Sequence, residues 1–441
     1  MINRVKKLWG TLRLSFWFMP SWIVLGSVAV AVVLIEADYY GGTQWLNKWP
    51  LLFGAGADGA RGMMSTIAGS MMTVVGVTFS MILVVLAMAS SQYTSRILRN
   101  FTRSRVTQAV LGIFAGIFTY CLIVLRTIRS GDEGAFVPSL AVFFGFVLAL
   151  GGVGALMFFI HHIASSIEAS NIIASVAQET IAAIDRLFPE KLGQEPDENE
   201  DRDPQCPLAE RNWIAVPAKE SGYIQSVNNA AILCLARDNK TIVRMEHGIG
   251  EFVVQDTELA SLALEDPPDE QTIDALQSAF SISNHRTVEQ DAAFGIRQIV
   301  DVALKALSPG INDTTTAVMC VDYLASVLAR VAPLQIPSSH RFEDGELRVI
   351  AKGPSFESLL AESFDQIRRS AKGDVVIMSR MLDALQLLAS LTASPSRRRA
   401  LREQVQWIAE LAGRTIESAH DRAEIDRQLS RVFETADVNR E

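Results

Sequence analysis

The chain has 441 residues, 49% of them hydrophobic, and a formal net charge of −9. The charge is unevenly divided: residues 1–163 carry 12 basic and 5 acidic side chains, the rest of the chain 28 and 44. A basic, apolar front half and an acidic back half describe a membrane domain joined to a water-soluble one, and the acidic half excludes nucleic acid as a partner because phosphates would be repelled.

Ahead of the first apolar run, Val5, Leu8, Trp9 and Leu12 recur at helical spacing among Arg4, Lys6, Lys7 and Arg13, the pattern of a short helix lying among lipid headgroups. Four stretches are long and apolar enough to cross a bilayer, at about 16–35, 67–89, 106–125 and 136–160. The first ends in Ile35-Glu36-Ala37-Asp38-Tyr39, which offers no small-residue cleavage site, so it is expected to stay as a signal anchor. Tyr39, Tyr40, Trp45 and Trp49 follow it as an interfacial aromatic belt.

The second stretch carries Thr66, Thr73 and Ser80 seven residues apart, with Ser70 and Val77 in the adjacent row and Gly69 and Gly76 beside them. Such a face of small and hydroxyl-bearing residues has two readings. Hydroxyls and open backbone can replace part of an ion's hydration in a pore. Small residues at this spacing are also the usual device for close helix packing. Both hold if the face packs around the axis of an oligomer.

Arg96, Arg99, Arg103 and Arg105 follow, a topology determinant and lipid-headgroup attractor or, more sharply, a cationic ring at a channel's inner mouth. The loops after the first and third stretches are poorer in basic residues. The positive-inside rule therefore places both termini in the cytoplasm. In the third and fourth stretches, Gly112 with Gly116, and Gly151, Gly152, Gly154 and Ala155, read as packing surfaces. His161 and His162 lie at the inner interface, with Glu168 two turns after His161, too far for one metal.

Helical periodicity continues past the fourth stretch to Pro189, so a long helix is expected to enter the cytoplasm. The organisation expected is a transmembrane domain (1–163), a helical extension (164–192), an acidic linker (193–207), a small β domain (208–266) and a mainly helical domain (267–441). The fold class is thus membrane α-helical plus a cytoplasmic α+β region with a small β barrel or sandwich and a helical bundle. Residues 213–264 alternate like strands, including AAILCLARDNKTIVRMEH. Their SGYIQSV…GEFVVQDTELA pattern resembles biotinyl- and lipoyl-type half-barrels, but no modification signature surrounds Lys240, which reads as a turn residue.

After Asp269 the pattern is helical. Thr287 and Gln290 have capping-box spacing for a helix to about Leu307, SPG breaks it, and Asn312-Asp313 caps the next to about Arg330. FEDGELRV reads as a hairpin about Asp344-Gly345, followed by helices at about 355–371, 374–391, 396–417 and 421–435. Cys121, Cys206, Cys234 and Cys320 are scattered without CxxC or zinc-ligand spacing, so neither a metal nor a cofactor is expected.

RTVEQDAAFGIRQIVDVALKALSPGINDTTTA (286–317), the second apolar stretch with SSQYTSRILRNF after it, and FIHHIASSIEASNIIASV resemble a bacterial family of predicted membrane proteins, domain of unknown function 2254. The likeness covers nearly the whole chain and is most specific at ALSPGIND. Thr314-Thr315 stand where that family is expected to have a proline and an aromatic residue. The resemblance implies a membrane-plus-cytoplasmic layout and brings no function with it.

In the 286–317 segment an enzymatic reading would enlist His285, Glu289, Asp291, Arg297, Asp301 and Asp313. Against it, Arg297–Asp301 and Asp301–Lys305 are spaced as helix pairs, and no nucleophile, phosphate-loop or zinc-protease motif occurs. A structural hairpin or subunit contact is the plainer reading, and a ligand sensor at the N-terminus of the helix after Asp313 is the other. The expectation for the whole chain is an inner-membrane homo-oligomer acting as a channel-like conductance with a cytoplasmic regulatory domain. The alternative is a non-conducting scaffold or sensor whose cytoplasmic domain binds a protein or small ligand. A membrane-bound enzyme stands third.

Overall fold

The computed structural model describes residues 17–40, 56–92, 105–129, 136–166, 168–187, 211–336, 339–343 and 345–437. The expected headgroup helix, Trp45, Trp49, Arg96, Arg99, Arg103 and the acidic linker lie outside these residues. The chain divides into two compact units, Met1–Glu168 and Ala169–Glu441.

The first unit contains α1 (Phe18–Tyr40), α2 (Ala57–Gln92), α3 (Arg105–Thr127) and α4 (Ser139–Ser166). Half of the most apolar window of α3 is buried within the chain, against 17% or less in the other three, so α3 is the post on which they pack. Its glycines seat α1: a methyl at Gly112 would fall 2.9 Å from Pro20 Cα, and one at Gly116 would meet Ser27 Oγ. On α4, Gly145 and Gly152 are closed the same way, by Met64 of α2 and Ile117 of α3. Phe114, Tyr120 and Phe159 fill the space between, fully buried. These are the small-against-large contacts that hold helices together where the hydrophobic effect offers no net drive.

The second unit begins with α5 (Ala169–Leu187). The helical pattern running out of the fourth apolar stretch is thus carried by two elements, α4 ending at Ser166 and α5 starting at Ala169. A mixed α/β part follows, made of β1 (Trp213–Pro217), β2 (Gly222–Val227), α6 (Asn229–Asp238), β3 (Val243–Met245), β4 (Phe252–Val253), β5 (Glu258–Ala263), α7 (Glu270–Ser278) and β6 (Phe280–Ser283). Then come α8 (Ala292–Ala306), α9 (Thr314–Val331), the hairpin β7 (His340–Glu343) and β8 (Glu346–Ile350), and α10 (Phe356–Ser370), α11 (Val375–Leu391), α12 (Pro395–Thr415) and α13 (Ala419–Asp437).

Two small sheets form, β1-β5-β3-β8-β7 and β4-β2-β6. They are antiparallel except where β3 pairs β8 in parallel. Ile224, Val243, Leu259 and Phe280 from the strands share one core with Ile232 of α6 and Leu276 of α7.

Two local expectations are corrected. AAILCLAR is helical, not extended: Asn228 accepts the N–H of Ala231 as its cap, and Ile232, Leu235 and Ala236 make one buried face. Thr287 does not open α8. Asp291 does, accepting from Phe294 N, while Gln290 is drawn off to accept from Val227 N of β2. Among the described residues five helices are long and apolar enough to cross a membrane by length and composition, the four expected and α9 with its run of alanine, valine and leucine. Lys240 sits in the turn after α6 with φ of 47°.

Candidate functional site

On α2 the inward positions are Ala60, Met64, Ala68, Met71, Thr78 and Val85, all buried. The weakly polar face points the other way. Thr66, Ser70, Thr73, Val77 and Ser80 are all exposed in the single chain. A Cβ built at Gly62, Gly69 or Gly76 meets nothing within 4 Å. These glycines are themselves seven residues apart, so they add a shallow groove along one side of the face. The packing that the stripe suggested is therefore not made among the described residues, in contrast to the closed glycines of α3.

The hydroxyls are only partly free. Thr66 Oγ1 donates to Gly62 O at 2.8 Å and Thr73 Oγ1 to Gly69 O at 3.1 Å. Each donor is thereby satisfied one turn back, which lets it face a non-aqueous surface at low cost, while its lone pairs stay open outward. Arg105, the described member of the basic loop, is exposed at the first position of α3.

In the 286–317 segment charged side chains are engaged in pairs and caps. Arg286 grips Asp291 with two nitrogens at 2.8 and 3.0 Å. Arg297 reaches Asp301 at 2.9 Å on its own helix and Glu362 of α10 at 3.3 Å. Asn312 has a positive φ of 51°, and the N–H of Asp313 returns to Ala306 O at 2.8 Å. Asp313 then caps α9, accepting from Thr316 N at 3.0 Å and Thr316 Oγ1 at 2.6 Å. Thr314 Oγ1 donates to Asp374 Oδ2 at 3.2 Å, so the caps of α9 and α11 meet. An anion approaching this helix start would face two carboxylates, which weighs against the sensor reading of that N-terminus. His162 stacks on Phe158 with centroids 6.0 Å apart. Among the described residues no three His, Cys, Asp or Glu side chains are grouped to hold a metal.

The hydroxyl of Thr316, and then its backbone N–H, hold the Asp313 carboxyl below its ordinary value of 3.8. A depressed carboxylate stabilises the fold above its unfolded pKa and loses that contribution as the pH falls through the folded one. Asp313→Ala should therefore cost about 1–2 kcal/mol of stability near neutrality, with Asp313→Asn costing less because it keeps the cap acceptor. Thermal unfolding at pH 7 checks this, and the difference between wild type and Asp313→Ala should shrink on acidification.

Sequence reasoning missed a group at one end of the first unit. Asp38 accepts the backbone N–H of Leu140 and Ala141, Tyr120 Oη donates to Ala141 O, and Arg61 donates to Ile128 O. The partners of Asp38 lie 102 and 103 residues away. Its only local signal was a carboxylate closing an apolar run.

Residues 13–387 match the family described as "Predicted membrane protein (DUF2254)". Two curated relatives, the uncharacterized proteins Rv1290c of Mycobacterium tuberculosis H37Rv and Mb1321c of Mycobacterium bovis, are each 32% identical over 445 residues, covering 99% of this chain and 84% of the relative. MT1328 of Mycobacterium tuberculosis CDC 1551 is 31% identical over the same shares. No solved structure matches the chain.

Proposed function

The chain belongs to the DUF2254 family of predicted membrane proteins, and from that premise we propose a four-span inner-membrane homo-oligomer that conducts ions along an axis lined by α2. The carrying observation is that this face of the helix has no partner among the described residues, with Gly62, Gly69 and Gly76 open beside Thr66, Ser70, Thr73, Val77 and Ser80. A seven-residue repeat of small positions favours a second helix crossing at a shallow angle, and copies of the same helix supply it.

Four spans rather than five are favoured by the surroundings of α9. It packs against α5, α8 and α11 of the second unit, and its Asp322 and Arg330 form ion pairs with Arg380 and Asp185. Its 18 residues reach about 27 Å, short of a hydrocarbon core of roughly 30 Å. Both termini are cytoplasmic in this reading. Arg96, Arg99, Arg103 and Arg105 lie at the inner mouth, and the acidic second half biases an open–closed equilibrium.

The test is flux through liposomes holding the purified protein. Thr73→Leu should reduce flux at least about tenfold by placing a branched side chain on the axis. Gly69→Cys, a position with space around it, should form a cross-linked pair between copies. Absence of flux under all ionic conditions would end the conductance reading.

A second reading is favoured by the satisfied donors of Thr66 and Thr73. In it the same face joins copies into a non-conducting scaffold or sensor. Cross-linking at position 69 without flux is its signature.

A further inference from the structure

Among the described residues of the first unit, Asp38 is the only buried carboxylate, 9% exposed. It compensates for a defect in α4. That helix starts after Pro138, whose carbonyl accepts the first helical bond from Val142 N at 2.9 Å but whose side chain has no acceptor to offer. Ser139, the next residue, turns its hydroxyl back to Val137 O. The N–H groups of the first turn would be orphans in an apolar setting. Asp38 takes two of them from another helix, Oδ1 from Leu140 N at 3.2 Å and Oδ2 from Ala141 N at 3.1 Å. Tyr120 of α3, fully buried, holds the same turn by donating to Ala141 O at 2.7 Å.

This arrangement favours the ionised form. A carboxylate accepts through both oxygens and is attracted by the positive end of the helix. A carboxylic acid loses the charge that makes these bonds strong, and its hydroxyl oxygen is a much poorer acceptor than a carboxylate oxygen, so the hold on the turn weakens. The ionisable groups on the neighbouring elements at this end are Asp58 and Arg61 at the start of α2, Tyr120, Cys121 and Arg126 on α3 with Arg129 just after it, and Glu36, Tyr39 and Tyr40 on α1 itself, while Arg105 of α3 and His161 and His162 of α4 stand at the opposite ends of their helices. The first turn of α4 carries no acidic residue. The guanidinium of Arg61 is engaged with Ile128 O at 2.9 Å.

We propose that Asp38 is a proton-operated latch between α1 and α4: ionised, it caps and holds the start of α4, and protonated, it releases that turn. The latch itself is independent of conduction. Only its sidedness rests on the orientation proposed above, which puts it at the outer face, where external acid would reach it.

Hydrogen exchange on the full-length protein in nanodiscs tests this, with rates at residues 139–143 expressed as protection relative to the intrinsic rate at each pH. In wild type, protection should fall at least about tenfold between pH 7.5 and pH 3, a range that passes through the ordinary aspartate value of about 3.9. Asp38→Asn should be weakly protected at both pH values, and Asp38→Glu should keep the pH dependence. Wild-type protection that stays flat over this range overturns the latch, as does an Asn variant that loses protection with pH as the wild type does. Because exchange is read without flux, a protein that never conducts would leave this result standing.

Discussion

Arg397→Ala should be among the most damaging single substitutions in the second unit, costing about 3–5 kcal/mol of stability. Arg397 is 6% exposed and stands in the first turn of α12, where a cation gains nothing from the helix dipole. Its place is set by another helix. Nη1 donates to Ala332 O at 2.8 Å and Val331 O at 3.3 Å, and Nη2 to Leu334 O at 3.0 Å, which closes the C-terminal end of α9. The guanidinium also lies over the ring of Phe356, 5.2 Å from its centroid. Burial pulls its pKa down from the usual arginine value, and the charge of Glu357 opposes the shift.

Truncation would strand several buried carbonyls at the negative end of a helix, each worth about 1–3 kcal/mol when left unpaired. Lysine should rescue little, because one ammonium cannot reproduce the planar fork. Methionine should rescue packing alone. Chemical unfolding of the detergent-solubilised protein measures the loss, and a cost below about 1 kcal/mol for Arg397→Ala would mean that water replaces the guanidinium.

The same long-range dependence explains what could be read in the sequence. Helices opened by their own caps were legible to within a residue or two. Ser355 forms a capping box with Ser358, Asp374 caps α11, and Pro395 sits at the first turn of α12. Reading failed where a residue had two possible partners. Gln290 had the spacing of a capping box, but β2 offered it an N–H, and Asp291 took the cap. It also failed where short apolar runs suit either period, as in AAILCLAR. The parallel pairing of Val243 with Val349 joins strands that no local pattern connects.

The stripe on α2 was visible as spacing, but whether it was closed depended on neighbours. Gly112 and Gly69 look alike in sequence, and only the packing separates one that meets Pro20 from one that meets nothing. Asp38 was the hardest case, because a cap supplied across 102 residues has no local signature.

Gly295→Ala should destabilise the second unit by about 2–4 kcal/mol, against a gain of up to about 1 kcal/mol expected for the same change on an open helix. Gly295 lies on α8 where α5 crosses it. An added methyl would collide with Thr180 Oγ1 and lie 2.9 Å from both Thr180 Cβ and Cγ2. Thr180 cannot swing aside easily. It is fully buried, and its hydroxyl donates to Val176 O at 2.6 Å within α5. The collision must therefore be relieved by moving one helix off the other. That would disturb the cluster of Ala183, Val288 and Phe294 beside the crossing. A paired change distinguishes this from a general intolerance of α8. Thr180→Ala alone removes the hydroxyl and one methyl at a cost of about 1 kcal/mol, and in the double variant it should restore most of what Gly295→Ala loses. The coupling between the two sites should thus favour the double variant by more than about 1 kcal/mol in a thermal-unfolding cycle. Additive losses would show that the two helices do not meet at this pair.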